Sequence, residues 1–200
     1  MNSLDIRSCY PEGKKAGENL CVAYNYQYEV PTKIARLFHI YGPGMNLNDG
    51  RMIMDFVSDV VNKRNIQIKS DGLDKRVLCY ISDATVALFL ILLKGKLGEA
   101  YNLADNREEI SVKDLAELLV SLYPQLNLKI EYSQNSGETL QRLVRKSFPD
   151  ISKIRNLGWE PKTTLKEGLL RTVKSYEKGC PICGRPIQNA GKFWKVKQNE

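Results

Sequence analysis

Tyr10 and Lys14 are two residues whose types and spacing could do chemistry together. They are four positions apart, and on a helix that spacing places two side chains on one face, one turn apart. A free phenol has a pKa near ~10 and is a poor base at neutral pH, but an adjacent ammonium group favours the phenolate and lowers that pKa. A Tyr-Lys pair can therefore take a proton from an alcohol while a hydride leaves the same carbon.

The same spacing also has a purely structural interpretation. In a chain with 10 tyrosines and 30 Lys and Arg residues, a Tyr-x-x-x-Lys also arises by chance, and an exposed helical pair contributes only ~0.2–0.5 kcal/mol. The elements around the pair favour the chemical interpretation. Pro11 fits the first turn of a helix over 11–28, a β-type run follows at 33–40, and a Tyr-Gly-Pro-Gly sequence at 41–44 predicts a turn.

The run at 33–40 is apolar enough to be buried on both faces, which indicates a strand of a parallel sheet. With the helix before it, this run predicts the last part of a doubly wound α/β fold. The apolar run at 84–93 is much shorter than the ~20 residues of a membrane span, so it predicts a buried helix. Helices are also predicted at 51–63, at 112–122 with Ser111 as N-cap, and at 165–176, and strands at 66–69, 99–103 and 128–132.

Several ordered motifs carry a family resemblance. They are Tyr10-Pro11-Glu12-Gly13-Lys14, Ala-Arg-Leu-Phe-His-Ile-Tyr-Gly-Pro at 35–43, Asn-Asp-Gly-Arg at 48–51, Arg-Val-Leu-Cys-Tyr-Ile-Ser-Asp at 76–83, and the Pro-Asp-Ile-Ser-Lys…Leu-Gly-Trp-Glu-Pro sequence within 149–161. In this order they resemble the extended short-chain dehydrogenase/reductases that act on nucleotide sugars. The segment 48–51 is especially similar to the UDP-glucuronate decarboxylase branch. The resemblance covers roughly residues 5–177 and is much less specific for the reaction than for the family.

The resemblance implies a reaction in which NAD oxidises a sugar hydroxyl and the product is then epimerised, dehydrated or decarboxylated. Tyr10 would be the base, and Lys14 would lower its pKa and hold the nicotinamide ribose. The substrate would be a nucleotide sugar, with a UDP-sugar expected. The protein would form a homodimer through the helix that carries the pair. Implied cofactor contacts are Tyr10, Lys14, Leu37 and Ile40, and implied nucleotide-sugar contacts are Tyr24, His39, Asn48, Arg51, Arg76 and Arg145.

Some of these positions keep a second interpretation. Arg76 matches an arginine that meets the diphosphate in the family, whereas composition alone favours a solvated loop cation. The arginine that clamps phosphate later in the chain matches either Arg142 or Arg145, and register does not choose between them. His39 stands where the family has Asn, so it is either a substrate donor whose charge depends on pH or a packed, neutral histidine.

The glycine cluster that such enzymes use to hold a pyrophosphate does not occur in this sequence. In the family, that Gly-x-x-Gly-x-x-Gly lies well before the tyrosine, and only nine residues precede Tyr10. We therefore expect 1–48 to be the end of the NAD-binding Rossmann domain, 49–177 mainly the nucleotide-sugar-binding domain, and 178–200 a basic, disordered tail. The isolated chain is expected to be inactive, marginally stable and unable to bind NAD tightly.

The residues that separate epimerases, dehydratases and decarboxylases would also precede Tyr10 in the family. In addition, Gly44 stands where typical glucuronate decarboxylases have an arginine, which weakens the decarboxylase interpretation. The alternative to an enzyme is a non-catalytic remnant that binds a nucleotide sugar or a partner subunit carrying the glycine-rich half. A third hypothesis is a metal-dependent interaction module in the tail.

That tail contains Cys180 and Cys183 in a Cys-x-x-Cys-Gly motif, which is one half of a zinc knuckle. A closed tetrahedral site needs two more ligands, and no Cys or His follows. Zinc binding would therefore need another chain or a lost segment, and we favour a disordered, basic tail.

Composition limits the remaining classes. The net charge is +7, but five basic residues and one acidic residue lie in 178–200, so a basic body that binds nucleic acid is not indicated. Five cysteines, an odd number, with no signal-peptide pattern predict a reducing, cytoplasmic setting away from membranes. Cys21 and Cys79 lie in apolar runs, which favours core packing.

Overall fold

The computed structural model describes residues 8–47, 49–133 and 146–178, and this part of the chain forms six α-helices and nine short strands. The helices are α1 (Cys9–Tyr28), α2 (Met52–Val61), α3 (Ile81–Lys94), α4 (Val112–Leu122), α5 (Ser152–Arg155) and α6 (Leu165–Lys178). The strands are β1 (Ile34–Leu37), β2 (Ile40–Tyr41), β3 (Ile66–Ile68), β4 (Lys75–Arg76), β5 (Cys79–Tyr80), β6 (Ala100–Leu103), β7 (Ile110–Ser111), β8 (Ile130–Tyr132) and β9 (Lys146–Ser147). The helices and strands predicted from the sequence correspond to these elements to within a few residues, whereas β4, β5, β7 and β9 were not predicted.

Most of the strand pairs are parallel. β1 pairs with β6, β2 with β5 and β3 with β8 in parallel register, while β4 lies between antiparallel β7 and parallel β9. Parallel partners must be joined by a long crossover, and the chain supplies helices between the members of each of the first three pairs. The predicted parallel pairing of the run at 33–40 is therefore confirmed.

The prediction that 33–40 forms one buried strand is wrong. The run divides into β1 and β2 because His39 has a left-handed backbone with φ of 44°. Arg36 and Leu37 are exposed. Within the described residues β1 pairs with β6 alone, so its other edge remains open and its last residues are uncovered.

The prediction that the apolar helix at 83–93 is buried is also only half right. One stripe of α3 is buried and consists of Asp83, Ala84, Ala87 and Ile91. The rest of the helix exposes large apolar side chains, namely Val86, Leu88, Phe89, Leu92 and Leu93. The long helix α1 buries none of its residues. Both helices thus have more apolar surface than the described neighbours cover.

Two clusters of buried side chains hold the structure together. The larger cluster lies among α2, α4, α6 and β3, and Met54, Val57 and Leu119 are fully buried in it. The smaller cluster joins α3, β6 and α5, with Leu103, Ile154 and Trp159 at its centre. The smaller cluster therefore combines early and late parts of the chain. The domain boundary at residue 48 stays a prediction.

Local signals at two helix ends have the predicted form. The Ser111 hydroxyl accepts a hydrogen bond from the Asp114 amide at 3.0 Å, so Ser111 is the N-cap of α4, a contact worth ~1 kcal/mol. The chain leaves α5 through Gly158 at φ 90°. The Trp159 indole then packs inward and donates to the Asp83 carbonyl at 2.9 Å. Both predicted features are confirmed.

No helix among the described residues is long and apolar enough to cross a membrane. Nor does the same part of the chain bring together three or more His, Cys, Asp or Glu side chains in a way that could hold a metal ion.

Candidate functional site

The Tyr10-Lys14 pair lies in the first turns of α1. The Lys14 ammonium nitrogen is 5.4 Å from the centroid of the Tyr10 ring, so the two side chains share one helix face as their spacing predicts. The Tyr10 side chain is 71% exposed. Its phenol is therefore open to an incoming molecule.

Two contacts fix the direction of α1 relative to β1. Glu18, in the middle of the helix, forms a two-point ion pair with Arg36, at 2.7 and 2.6 Å. One turn further along, the Cys21 carbonyl accepts from the Thr32 hydroxyl at 2.7 Å, just before β1. The contact residues advance along α1 from Glu18 to Cys21, while their partners go back from Arg36 to Thr32. The helix α1 and the strand β1 therefore run antiparallel. The N-terminal turns of α1 consequently lie toward the end of β1.

The carboxyl ends of parallel strands lie at one edge of the sheet, which we call the carboxyl edge. Open α/β sheets bind ligands at this edge. Leu37 ends β1 there and is 54% exposed. His39 follows with an exposed side chain, and its carbonyl accepts from the Cys79 amide of β5 at 3.3 Å. Ile40 instead packs against the smaller core cluster. The structure thus brings Tyr10, Lys14, Leu37 and His39 toward one edge.

Arg76 is the second basic group in this region. Its guanidinium donates to the Asp74 carboxylate at 3.0 Å and to the Lys75 carbonyl at 2.8 Å, which orients the group. Packing around the ring lowers the pKa of His39 even though part of the side chain reaches solvent, and the positive charge of Arg76 lowers that pKa further. His39 therefore favours the neutral form at pH 7 and lies within electrostatic range of Arg76.

This environment of His39 can be measured directly because the chain contains a single histidine. We expect its imidazole proton resonances to titrate with a midpoint below the ~6.5 of an unfolded histidine, and the Arg76→Gln variant to raise that midpoint. The unfolded state binds the proton more readily, so His39 favours folding above pH ~6.5, and that contribution is lost as pH falls below it. Arg51→Gln is the matched control. A midpoint at or above that of the urea-unfolded chain would contradict the placement of His39.

Arg51 lies at the start of α2, on the far side of the Gly-Pro-Gly turn. Its side chain is largely exposed and pairs with Asp49 at 3.3 Å. The loop between β2 and α2 is tied to the C-terminal helix, since the Tyr176 hydroxyl donates to the Met45 carbonyl at 2.6 Å. Arg51 therefore presents an exposed guanidinium, paired with Asp49, on an anchored loop.

Tyr24 is not brought to the carboxyl edge. It lies 14 residues after Tyr10 on one helix, which corresponds to ~21 Å along the axis. Its neighbours are at the C-terminal end of α1, where its ring centroid is 5.3 Å from that of Tyr28. The structure separates Tyr24 from the other expected contacts by most of the length of α1.

Four other residues from the sequence analysis lie outside the described residues. They are Asn48, Arg145 and the two cysteines of the tail, Cys180 and Cys183, and the alternative Arg142 lies outside as well. Their expected roles stay predictions. Cys79, by contrast, is fully buried, and burial raises the pKa of its thiol to about 12, so its predicted packing role is confirmed.

The sequence did not indicate a polar network near the carboxyl edge, in which Asp83, Asp105 and Thr163 are buried and Arg107 is exposed. Arg107 holds the Asp105 carboxylate with two bonds, at 2.9 and 2.6 Å, and donates to the Thr163 carbonyl at 2.7 Å. The Thr163 amide in turn donates to the Asp83 carboxylate at 2.9 Å. The network fastens the segment before α6 to the start of α3 and the loop after β6. An Asp-x-Arg spacing in a loop does not by itself predict such a role.

Two cavities adjoin the described residues. One, of about 320 Å³, is lined by Leu78, Asp105, Arg107, Glu108, Thr164 and Leu165. The other, of about 650 Å³, is a polar cleft between α2, β3 and β8 in which Asp59 pairs with Arg64 and Asp55 with Lys69. Neither is lined by Tyr10, Lys14 or His39. The candidate site, in which Tyr10, Leu37 and His39 are exposed, is an open edge of the sheet.

Comparison with known proteins adds a sequence match. Residues 2–104 match the model of a family described as the NAD dependent epimerase/dehydratase family. The chain is 35% identical over 170 residues to UDP-glucuronic acid decarboxylase 6 of Arabidopsis thaliana, covering 84% of this chain and 48% of that protein. It is 32% identical over 179 residues to UDP-glucuronic acid decarboxylase 1 of Danio rerio, covering 89% and 41%.

Solved structures give a similar result. The dTDP-glucose 4,6-dehydratase of Bacillus anthracis, a complex with NAD, superposes with a TM-score of 0.72 at 27% identity and covers 86% of this chain and 52% of that one. UDP-glucose 4-epimerase of Thermotoga maritima, with UDP-glucose, has a TM-score of 0.72 at 26% identity and covers 82% and 52%. The chain spans about half the length of these relatives.

Proposed function

The chain belongs to the NAD-dependent epimerase/dehydratase family, and from that premise we propose that it supplies the catalytic pair and the sugar-binding part of an NAD-dependent nucleotide-sugar enzyme. The observation that carries the proposal is the Lys14 ammonium 5.4 Å from the centre of an exposed Tyr10 ring. The helix that bears this pair runs antiparallel to β1 and so directs it to the carboxyl edge of a parallel sheet.

The residues at this edge suit one end of NAD. Lys14 has three donors that can bind the hydroxyls of a nicotinamide ribose, and Leu37 offers an exposed apolar surface for a planar ring. A glycine-rich loop for the pyrophosphate does not occur in this sequence. Bound NAD would supply the acceptor for the hydride that leaves the carbon bearing the sugar hydroxyl.

In this proposal Tyr10 removes the proton of the sugar hydroxyl. Its phenolic oxygen accepts that proton, and the positive charge of Lys14 stabilises the phenolate form while it does so. The oxidised sugar is then epimerised, dehydrated or decarboxylated, and the proposal extends to this group of three reactions.

The diphosphate of a nucleotide sugar, with a UDP-sugar as the expected substrate, would meet the basic groups around the edge. Arg76 is oriented by Asp74 and lies in the neighbourhood of His39, while Arg51 is exposed on the anchored loop. Planar guanidinium groups bind phosphate oxygens in pairs and keep their charge at all relevant pH values. We leave Tyr24 out of this site because the length of α1 separates it from Tyr10.

Arg76→Lys tests the diphosphate contact. The substitution retains the charge but removes the two-pronged donor, so the affinity for UDP should fall about 10-fold, which is ~1.4 kcal/mol. The measurement is calorimetric titration of the chain with UDP. Arg64→Lys, in the polar cleft, is the matched control and should leave the titration unchanged. Superimposable curves for Arg76→Lys and the unmodified chain would refute the contact.

We keep a non-catalytic role as the second candidate function. A remnant of this kind would bind a nucleotide sugar, or a partner, without turnover. The two candidates differ in what Tyr10 does, since only the enzyme needs its hydroxyl. Binding of UDP that is unaffected by NAD, with no reaction in the presence of a dinucleotide-binding half, would favour the remnant.

The homodimer through α1 and the cytoplasmic location both stay predictions. Exposed apolar side chains along the helix support the dimer, most clearly Val22 and Tyr26, which is 91% exposed. Sedimentation of the purified protein is the direct measurement of its assembly state.

A further inference from the structure

We propose that Arg36 is a positioning residue for the Tyr10-Lys14 pair. By binding the Glu18 carboxylate, Arg36 keeps that carboxylate from pairing with Lys14, so that the lysine charge acts on the phenol. The proposal rests on the proposed function, in which Tyr10 is the base, and it adds a residue of β1 to the groups that set the reactivity of this base. The contacts of the charged side chains on α1 carry it.

The charged side chains of α1 are few and lie close together. They are two acids, Glu12 and Glu18, and two bases, Lys14 and Lys15. Tyr10, Lys14 and Glu18 follow one another at intervals of four residues, so they lie along one stripe of the helix. Side chains at this spacing have Cβ atoms ~5–6 Å apart, and a lysine and a glutamate so placed form an ion pair on an exposed helix. Glu18 is therefore a competitor of the phenol for the Lys14 ammonium.

The structure pairs both carboxylates of α1 with other cations. Glu12 binds Lys15 at 3.0 Å. Glu18 binds Arg36 of β1, which donates from Nε at 2.7 Å to one carboxylate oxygen and from Nη2 at 2.6 Å to the other. The Lys14 ammonium lies instead 5.4 Å from the centroid of the tyrosine ring. Within the part of the chain that the structure describes, Lys14 is thus directed at the phenol and not at a carboxylate of its own helix.

The geometry of the Glu18–Arg36 contact explains why Arg36 holds the carboxylate. A planar guanidinium binds both oxygens of a carboxylate at once, whereas an ammonium binds as a point charge. The hydrogen bond from Arg36 is the main reason why the pKa of the Glu18 carboxyl lies below its ordinary value. Because both oxygens are occupied and the charge is compensated, Glu18 does not neutralise the lysine one turn away.

The same contact is expected to contribute little to the stability of the fold. The side chains of Arg36 and Glu18 are 47% and 29% exposed, and solvent and salt screen an ion pair that is open to water. Replacing either residue should therefore leave the thermal melt of the chain nearly unchanged. The effect of the ion pair is expected instead in the electrostatic environment of the phenol, where it can be measured.

The test is the titration of the Tyr10 phenol in the purified 200-residue chain at low ionic strength. NMR of ring-labelled tyrosine follows the titration, and Tyr10→Phe assigns the resonance. Arg36→Gln leaves the Glu18 carboxylate uncompensated and available to Lys14. The midpoint of the Tyr10 titration should therefore rise by about 0.3–0.5 pH unit, which is the change that one unit charge ~6 Å away causes in water.

The double variant Glu18→Gln/Arg36→Gln separates this role from a structural one. It lacks the competing carboxylate as well as the guanidinium, so the midpoint should return to that of the unmodified chain. Arg36→Lys keeps the compensating charge and should retain most of the original behaviour. Arg64→Gln is the matched control, since it frees the Asp59 carboxylate in the polar cleft and should not move the Tyr10 midpoint.

Two results would overturn the proposal. One is a Tyr10 midpoint that does not move in Arg36→Gln. The other is an equal rise in the single and the double variant, which would mean that the ion pair only holds α1 against β1, because removing the carboxylate as well does not repair a structural loss. The titration needs neither NAD nor turnover, so a lack of turnover would count against the proposed function and leave the role of Arg36 standing.

Discussion

Replacing Tyr10 with Phe should lower turnover by about 10²–10⁴-fold, the range that a positioned general base contributes. The substitution removes one hydroxyl and leaves the ring that the Lys14 ammonium approaches. Because the Tyr10 side chain is 71% exposed, little folding free energy depends on that hydroxyl. The measurement is turnover of a UDP-sugar with a dinucleotide-binding half present, with a thermal melt of each variant.

Tyr26→Phe is the matched control for this experiment. Tyr26 lies on the same helix and is 91% exposed, but it is 16 residues from Tyr10, or ~24 Å along the axis. Its hydroxyl should therefore be irrelevant to turnover. Unchanged turnover in Tyr10→Phe would remove Tyr10 from the catalytic role. Equal losses in both variants would point to an effect on α1 as a whole.

Residue order alone could predict the local elements of this chain. Periodic apolar residues, the N-cap at Ser111 and the stop at Gly158 are local signals, and each corresponds to an element in the structure. The parallel pairing at β1 and the α/β class, which the Rossmann-type relatives confirm, also follow from apolar strands that alternate with helices. These features depend on few residues that are close in sequence.

Burial could not be predicted in the same way. An apolar run at 84–93 and a β-type run at 33–40 have the composition of buried elements. Yet six of the ten residues in the first run and three of the eight in the second are exposed, because coverage depends on what lies beside them. The break at His39 is equally invisible, since it depends on one backbone angle. Composition therefore identifies apolar segments that are expected to be covered. The structure shows which of their residues stay exposed within the described part of the chain.

The candidate site shows the same division. The spacing of Tyr10 and Lys14 is enough to place them on one helix face, because both lie on one regular element. Tyr24 lies on that element too, but its distance from Tyr10 becomes decisive only once the direction of α1 against β1 is known. No sequence pattern marks Arg107, because the tertiary fold is what brings its partners Asp105 and Thr163 together.

Gly168→Ala should destabilise the fold by ~1–3 kcal/mol, the usual cost of adding a methyl group to a packed site. Gly168 lies in α6 against two tyrosine rings. A Cβ at this position would overlap the Tyr41 hydroxyl, and it would lie 2.9 Å from Tyr41 Cζ and 3.0 Å from Tyr80 Cδ2. Tyr41 is 1% exposed and its hydroxyl donates to the Leu165 carbonyl at 3.3 Å, so the ring cannot simply move aside.

The measurement is the free energy of unfolding in urea, with Gly17→Ala as the control. Gly17 is also inside a helix, but a Cβ there would meet nothing within 4 Å. Alanine should therefore stabilise that position, by up to ~1 kcal/mol, through its higher helix propensity.

A double-mutant cycle then identifies the cause. Tyr41→Phe removes the overlapping oxygen, so it should be mildly destabilising alone and should recover part of the loss in the Gly168→Ala background, with a coupling of at least ~0.5 kcal/mol. Additive effects would mean that the methyl group is accommodated elsewhere and that Gly168 is not required by Tyr41.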